Sequence, residues 1–290
     1  MIVTVTLNPA LHVSYQAERV GLGRDNQVGR VSYLAGGGGL AVARVLHTFG
    51  HEVVAAGLAG GASGEMIRAD LAQAGVATQF TRIAGESRRV VEVADAGDGT
   101  VTTFREPAPY ITTEELGRLA ADYRSLLADC DAVVLCGNLP DGLPAETYGS
   151  LASYAAEAGV PVVLDTGGSA LRAAVTRRPA LVIPESQASD PGELIACGAG
   201  AVVVLCDGMV TGVTAAGRWT AGFPGPPAVS RDALAAGFVP GIALSWSWPD
   251  TLAHAVALAA SSGPAGDVDL ETYERLLSAV IVTAGPDGSR

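Results

Sequence analysis

Four short apolar runs in the second half of the chain decide its architecture: DAVVLC at 131–136, VPVVLD at 160–165, ALVIP at 180–184 and AVVVLC at 201–206. Each run is near-continuous where a half-buried strand would alternate, so each must be covered on both faces. Helical segments lie between them. Strands of this kind joined through helices predict a doubly wound α/β fold with a mostly parallel sheet. The first half begins the same way. IVTVTL (2–7) and NQVGRVSYL (26–34) read as strands, and AGGGG (35–39) leads into a helix with Val42, Val45, Leu46 and Phe49 at i, i+3, i+4 and i+7. Gly50 closes that helix, and EVVAAGLAG and EMIRADLAQAG follow as strand and helix.

Residues 77–106 break the rhythm. TQFTRI, RRVVEVAD and TVTTFRE alternate over short spans, and AGDG between the last two suits a hairpin turn. This stretch reads as an antiparallel patch. No internal repeat, low-complexity tract or long linker interrupts the chain. The expectation is a single domain over 1–290, with a small β lid built from about 10–34 and 77–106.

Charge narrows the partners. Eighteen Lys and Arg face thirty Asp and Glu, a formal net charge of −12, and no basic run exists. A nucleic-acid binder presents a basic surface, so that class is excluded as an expectation. A small anion needs only one or two local cations and stays open. The N-terminus carries no basic, apolar leader, and no stretch offers eighteen uninterrupted apolar residues. The expected place is the cytoplasm, without a membrane partner. Cys130, Cys136, Cys197 and Cys206 lack metal-type spacing and read as free thiols, with no resident metal site expected.

The order of motifs resembles the ribokinase-like, PfkB family of carbohydrate kinases, and within it the 1-phosphofructokinase and tagatose-6-phosphate kinase branch. TLNPALHVSY resembles that branch's opening, and AGGGGLAVARVLHTFG resembles its glycine-rich helix start. GGASGEMIRADLAQAGV, GESRR, FREPAP, CGNLPDGLP and DTGGSALR follow in the family's order, and the resemblance runs to about residue 280. It implies a ribokinase-like fold with a β lid, ATP and Mg²⁺ as cofactors, a small phosphorylated metabolite as substrate, and a homodimer paired through lid strands.

The same resemblance assigns roles by position. The family's Gly-Ala-Gly-Asp motif corresponds to Val229, Ser230, Arg231 and Asp232. Asp232 keeps the place of the base that takes the acceptor hydroxyl's proton. Arg231 stands where a glycine opens an anion hole, and can supply a guanidinium to phosphate instead. The implied substrate side comprises His12, Gly36, Gly37, Gly38, Arg88 and Asn138, with Arg105 a second nearby cation. His12 replaces an acid, Gly38 a lysine and Ala41 an asparagine. The implied nucleotide side comprises Glu185, Cys206, Asp207 and Gly208. Glu185 is an oxygen donor in a stretch whose second carboxylate is gone, and Asp207 adds negative charge near the phosphates.

Asp232 is expected in the first turn of a helix over about 231–244. Ala233, Ala236 and Gly237 would let that helix approach the sheet, and Pro240 would bend it or disturb its last turn. Two functions fit these residues. One is a divergent ATP-dependent kinase acting on a phosphosugar hydroxyl. The other is a catalytically impaired, metabolite-binding protein, or an enzyme of different chemistry, on the same scaffold.

Overall fold

The computed structural model describes residues 1–140, 142–185, 189–206, 208–223, 230–263 and 266–285. Along the chain run β1 (Ile2–Thr6), β2 (Ala10–Ala17), β3 (Arg30–Gly36), α1 (Gly38–Thr48), β4 (Val53–Ala59), α2 (Gly61–Gln73), β5 (Ala77–Arg82), β6 (Arg89–Asp95) and β7 (Val101–Arg105). There follow α3 (Thr113–Leu126), β8 (Ala132–Cys136), α4 (Thr147–Glu157), β9 (Val162–Thr166), α5 (Gly168–Val175), β10 (Leu181–Pro184), α6 (Pro191–Cys197), β11 (Ala201–Cys206), β12 (Met209–Thr214) and β13 (Gly217–Gly222). The last elements are α7 (Arg231–Ala243), α8 (Trp248–Ala260), α9 (Leu270–Leu277) and β14 (Ile281–Ala284).

The large sheet has the order β14-β13-β12-β11-β10-β9-β8-β1-β4-β5. Its strands from β5 through β11 pair in parallel, and the β11–β12–β13–β14 end is antiparallel. The apolar runs behave as their composition demands. Along β8, Ala132, Val134 and Cys136 enter one core while Val133 and Leu135 enter the other. Each core is sealed by helices, so the fold is the α/β, ribokinase-like arrangement the sequence leads one to expect.

A second sheet, β3-β2-β6-β7, forms the lid. The β2–β3 and β6–β7 pairs are antiparallel, but β2 and β6 run parallel. The lid therefore departs from the expected antiparallel patch. Residues 77–82 also leave it: β5 pairs with β4 at the edge of the large sheet. The lid comes from Ala10–Ala17, Arg30–Gly36, Arg89–Asp95 and Val101–Arg105. Its second strand begins at Arg30, later than position 26, and the segment after Asn-Pro is a strand the alternation rule had not singled out.

Register sorts the lid's two faces. Leu34, His12, Val90 and Arg105 stand in one row across the sheet, because neighbouring strands pair these positions. Tyr33, Val13, Val91 and Phe104 form the next row and point to the opposite face, since successive side chains alternate.

Helix α7 is apolar on every side, and Ala233 through Gly241 are all buried. A helix of that kind belongs inside a core. The small residue at Gly237 serves the approach of α8, where the sequence suggested the sheet. A Cβ there would sit 2.5 Å from the Ala255 Cα. Pro240 is held within the helix, which ends at Ala243, and its carbonyl still accepts from the Leu244 N–H at 2.9 Å.

Candidate active site

The carboxyl ends of β8, β9 and β10 open toward the N-termini of α1 and α7, where ligands collect in open α/β sheets. Gly38, Asn138, Glu185, Arg231 and Asp232 line a cavity there of about 180 Å³, together with Cys136, Gly137, Asp165 and Thr166. The glycine at 38 is required by space. A Cβ on it would lie 2.4 Å from the Cys136 Sγ and 3.0 Å from the Asp232 Oδ1. Gly37, at φ +133, makes the turn from β3 into α1.

Asp232 lies in the first turn of α7 but does not cap it. Ser230 does, its Oγ accepting from the Ala233 N–H at 3.3 Å. That leaves the Asp232 carboxylate without a hydrogen bond to any described residue. Burial, and next the negative charge of Asp165, push Asp232 up to about 6, against the pull of Arg231. The local fold thus yields a carboxylate with no hydrogen-bond partner among the described residues and a pKa raised by burial to about 6.

Asp165, at the end of β9, is buried, and the cation that compensates it is Arg231. The Arg231 Nε and Nη2 donate to the Asp165 Oδ1 at 3.1 and 2.5 Å, and Nη2 also donates to the Ile183 carbonyl at 2.8 Å. The Cys136 Sγ–H donates to the Asp165 Oδ2 at 3.5 Å. Burial raises the Asp165 carboxyl, with Arg231 opposing it. Burial also lifts the Cys136 thiol far above its usual range, with Asp165 and Asp232 adding to the effect, so Cys136 is a neutral wall of the site. Ligand atoms of Cys136, Asp165 and Asp232 lie within 4.8 Å of one another. A cation held there would have to compete with the guanidinium already on Asp165.

Glu185 follows β10, and its Oε1 accepts from the Asn138 Nδ2 at 3.5 Å. A Cβ on Gly167 would come within 2.6 Å of the Glu185 Oε2, so the bare backbone at Gly167 makes room for that carboxylate.

The lid carries the remaining residues. The Arg88 Nε donates to the Asn8 Oδ1 at 3.1 Å, and Arg88 has no carboxylate partner among the described residues. Arg89 faces away and pairs with Glu106 at 2.7 Å on the exposed side. The His12 ring lies over Gly36, where a Cβ would meet its Cδ2 at 2.2 Å. Burial lowers the His12 pKa, Glu92 resists, and the charges of Arg88 and Arg105 lower it further. Arg88 is itself lowered by burial and by Arg105. Neither arginine has an ion pair among the described residues, and Glu92 supplies an opposing negative charge at His12.

The substrate-side residues singled out in the sequence therefore divide. Gly38 and Asn138 line the cavity, while His12, Gly36, Gly37 and Arg88 stand on its lid side. On the nucleotide side, Glu185 lines the cavity. Cys206 and Gly208 flank the β11–β12 turn and do not line it; Asp207 and Val229 lie outside the described residues. Sequence reasoning left Asp165 and Cys136 out of the site. A usable signal existed for Asp165: a lone acid ending the apolar run VPVVLD must find a cation.

The model for the pfkB family of carbohydrate kinases matches residues 9–187. Among solved structures, a Staphylococcus aureus protein provisionally described as a phosphofructokinase is 24% identical, with 99% of this chain and 100% of that one covered and a TM-score of 0.86. Phosphofructokinase-2 from Escherichia coli, solved with fructose-6-phosphate, is 23% identical over 96% of this chain and 98% of its own, at a TM-score of 0.83. A carbohydrate kinase from Agrobacterium tumefaciens is 18% identical over 97% and 99%, at 0.78. At these identities the structures speak for the fold.

Proposed function

Since the chain belongs to the pfkB family of carbohydrate kinases, we propose that it transfers a phosphoryl group from ATP to a hydroxyl of a small phosphorylated sugar, as in the phosphofructokinase and tagatose-6-phosphate kinase branch, in the cytoplasm. The observation that carries this reading is Asp232: a carboxylate at a helix N-terminus, free of hydrogen bonds to described residues, lining the cavity and titrating at about 6. A general base works best when its pKa lies near the working pH.

The chain's own residues divide the work. Arg88, oriented by Asn8, holds the anionic end of the sugar under the lid. Gly38 keeps the floor open next to Asp232. The Asp232 carboxylate accepts the proton of the acceptor hydroxyl as that oxygen attacks. The N-termini of α1 and α7 give favourable potential for the negative charge that develops.

Family members generally use ATP with Mg²⁺, and the donors here suit a hard cation. Glu185 presents carboxylate oxygens at the cavity edge beside Asn138. Glu185 would hold the ion, and magnesium–ATP, when bound, supplies the phosphoryl group and neutralises its charge.

A second reading, metabolite binding without turnover, is favoured by one contact: Arg231 is already engaged by Asp165 where a family glycine leaves an open anion hole. ADP release in the presence of magnesium–ATP and a panel of sugar monophosphates separates the two. Turnover that Asp232→Asn abolishes supports the kinase reading. Sugar-phosphate binding by calorimetry without ADP release replaces it with the second.

A further inference from the structure

The ion pair at the cavity is lopsided. Asp165 is sealed, its side chain 5% exposed, whereas the Arg231 side chain is 34% exposed. A molecule entering the cleft meets the guanidinium before the carboxylate behind it. The arginine is also only half used. Its Nε and Nη2 are spent on Asp165 and Ile183, while Nη1 makes no hydrogen bond to a described residue. A planar guanidinium held along one edge presents its remaining donors at a fixed angle, which suits the oxygens of a tetrahedral oxyanion. Two helix N-termini and the bare backbone of Gly38 border the same cavity. Arg231 is the one arginine among its described lining residues.

We propose that Arg231 is a binding group for a phosphate-type oxyanion, which it takes on its free edge, and that Asp165 is the positioning residue that holds the guanidinium in place. In this chain a side chain then does what open backbone would do at a glycine. This deepens the kinase reading and rests on it for the source of the oxyanion, the terminal phosphate of the nucleotide. The sugar's own phosphate belongs to Arg88 at the lid.

Calorimetric titration with inorganic phosphate tests the binding group without any turnover. Arg231→Ala is expected to weaken phosphate about tenfold or more, the loss of a charged hydrogen-bonding partner. Asp165→Asn keeps an acceptor for the guanidinium but removes the competing negative charge, and is expected to tighten phosphate. A pair with a purely structural role would shift both variants in the same direction, and that result overturns the proposal. Arg231→Lys keeps the charge without the planar fork and should fall between wild type and alanine.

Should Asp165→Asn fail to fold, the wild-type protein, with Arg231→Ala to assign its spectrum, carries the test. The arginine Nε resonance that Arg231→Ala removes is expected to move saturably as phosphate is added, and a resonance that stays still overturns the assignment. Separate titrations locate the source. Arg231→Ala should weaken magnesium–ATP and leave hexose 6-phosphate unchanged; the reverse pattern overturns the nucleotide assignment. Phosphate binding through Arg231 without ADP release would sink the kinase reading and keep this one. Turnover and phosphate binding both unaffected by Arg231→Ala would do the opposite.

Discussion

The two ends of the cleft handle charge in opposite ways. Under the lid, Arg88 and Arg105 lie near each other and His12, with no carboxylate in ion-pair contact among the described residues and with Glu92 as an opposing charge at His12. At the sheet end, Arg231 already has its counter-ion in Asp165, and Asp232 stands beside them without a hydrogen bond to a described residue. The lid end is built to attract. The sheet end is compensated, so a ligand gains there only by using donors that Asp165 leaves free. Under the proposed function this difference divides affinity from chemistry: the lid should govern binding of the sugar phosphate, and the sheet end should govern transfer.

The largest effect expected from that division is on rate. Asp232→Asn should lower ADP release by about 10²–10⁴-fold, the range for removing a positioned general base. Its affinity for the sugar phosphate should change little, because the lid is untouched. Equal losses in kcat and in sugar-phosphate affinity, measured by steady-state kinetics and calorimetry, would break the comparison.

The next effect is on affinity. Arg88→Ala should weaken a phosphorylated sugar by about 10–100-fold, the loss of a charge-assisted contact. The unphosphorylated sugar should bind as before, and Asp232 should keep its pH dependence. Arg89→Ala is the internal control: that side chain is on the opposite face with Glu106, and exposed pairs of this kind contribute little. Loss of phosphosugar affinity in Arg89→Ala would show that the lid's two faces had been assigned the wrong way round.

A smaller change, a factor of two in mass, concerns the lid face that carries Tyr33 and Phe104, opposite to His12. Val31, Tyr33 and Phe104 lie on one side of the sheet and are 42%, 51% and 60% exposed. Both edge strands, β3 and β7, are largely open. A sheet that shows apolar side chains and bare edges suits a cover, and the expected homodimer would supply one from a second copy of the lid. Light scattering should give twice the 29.2 kDa chain mass, and Phe104→Glu with Tyr33→Glu should reduce it to the single chain. A wild-type monomer across a wide concentration range removes the homodimer.

What could be read from the sequence divides along physical lines. The parallel core was legible because strands buried on both faces leave continuous apolar runs. The helix start near Arg231 was legible through the place of Ser-Arg-Asp in the motif order, and the helix runs Arg231–Ala243 against the expected span of about 231–244. The pairing of β5 was not, since TQFTRI alternates as well at the edge of a large sheet as in a lid. Alternation reports one covered face and says nothing of which neighbour supplies the strand. The site showed the same limit. Asp232, Arg231, Gly38 and Glu185 could be located by motif order. The Arg231–Asp165 bond could not, because it joins positions 66 apart in the chain and depends on which way one side chain turns. Nor could the release of Asp232 from capping, which follows from Ser230 taking that task.

The smallest expected effect is on stability, and it sets the cleft against the packing of α8 on α9 around His254. Burial and the charge of Asp165 raise Asp232 from 3.8 to about 6, so the folded state binds more protons than the unfolded chain between those values. Its contribution to stability is present at low pH and is lost as pH rises through about 6. His254 runs the other way. It is buried against Phe49, Trp246 and Tyr273, its Nδ1 is 2.6 Å from the Tyr273 hydroxyl and its Nε2 has no partner among the described residues. Burial, aided by the charge of His51, lowers it from 6.5 to about 4, so its contribution is present at neutral pH and is lost as pH falls through that window. Between about pH 4 and 6.5 the two slopes oppose each other, and the wild-type melting temperature should vary less than either group alone would make it. Asp232→Asn removes one slope. Its melting temperature should exceed wild type at pH 8 by roughly 2–4 °C, about 1 kcal/mol for a domain of this size. The gap should shrink toward zero at pH 4, where the wild-type carboxyl is already protonated. His254→Gln should show the reverse trend, faring better against wild type at pH 4 than at pH 8. A constant gap for Asp232→Asn across that range would mean that Asp232 is an ordinary surface carboxylate, and the base at the sheet end would lose its physical ground.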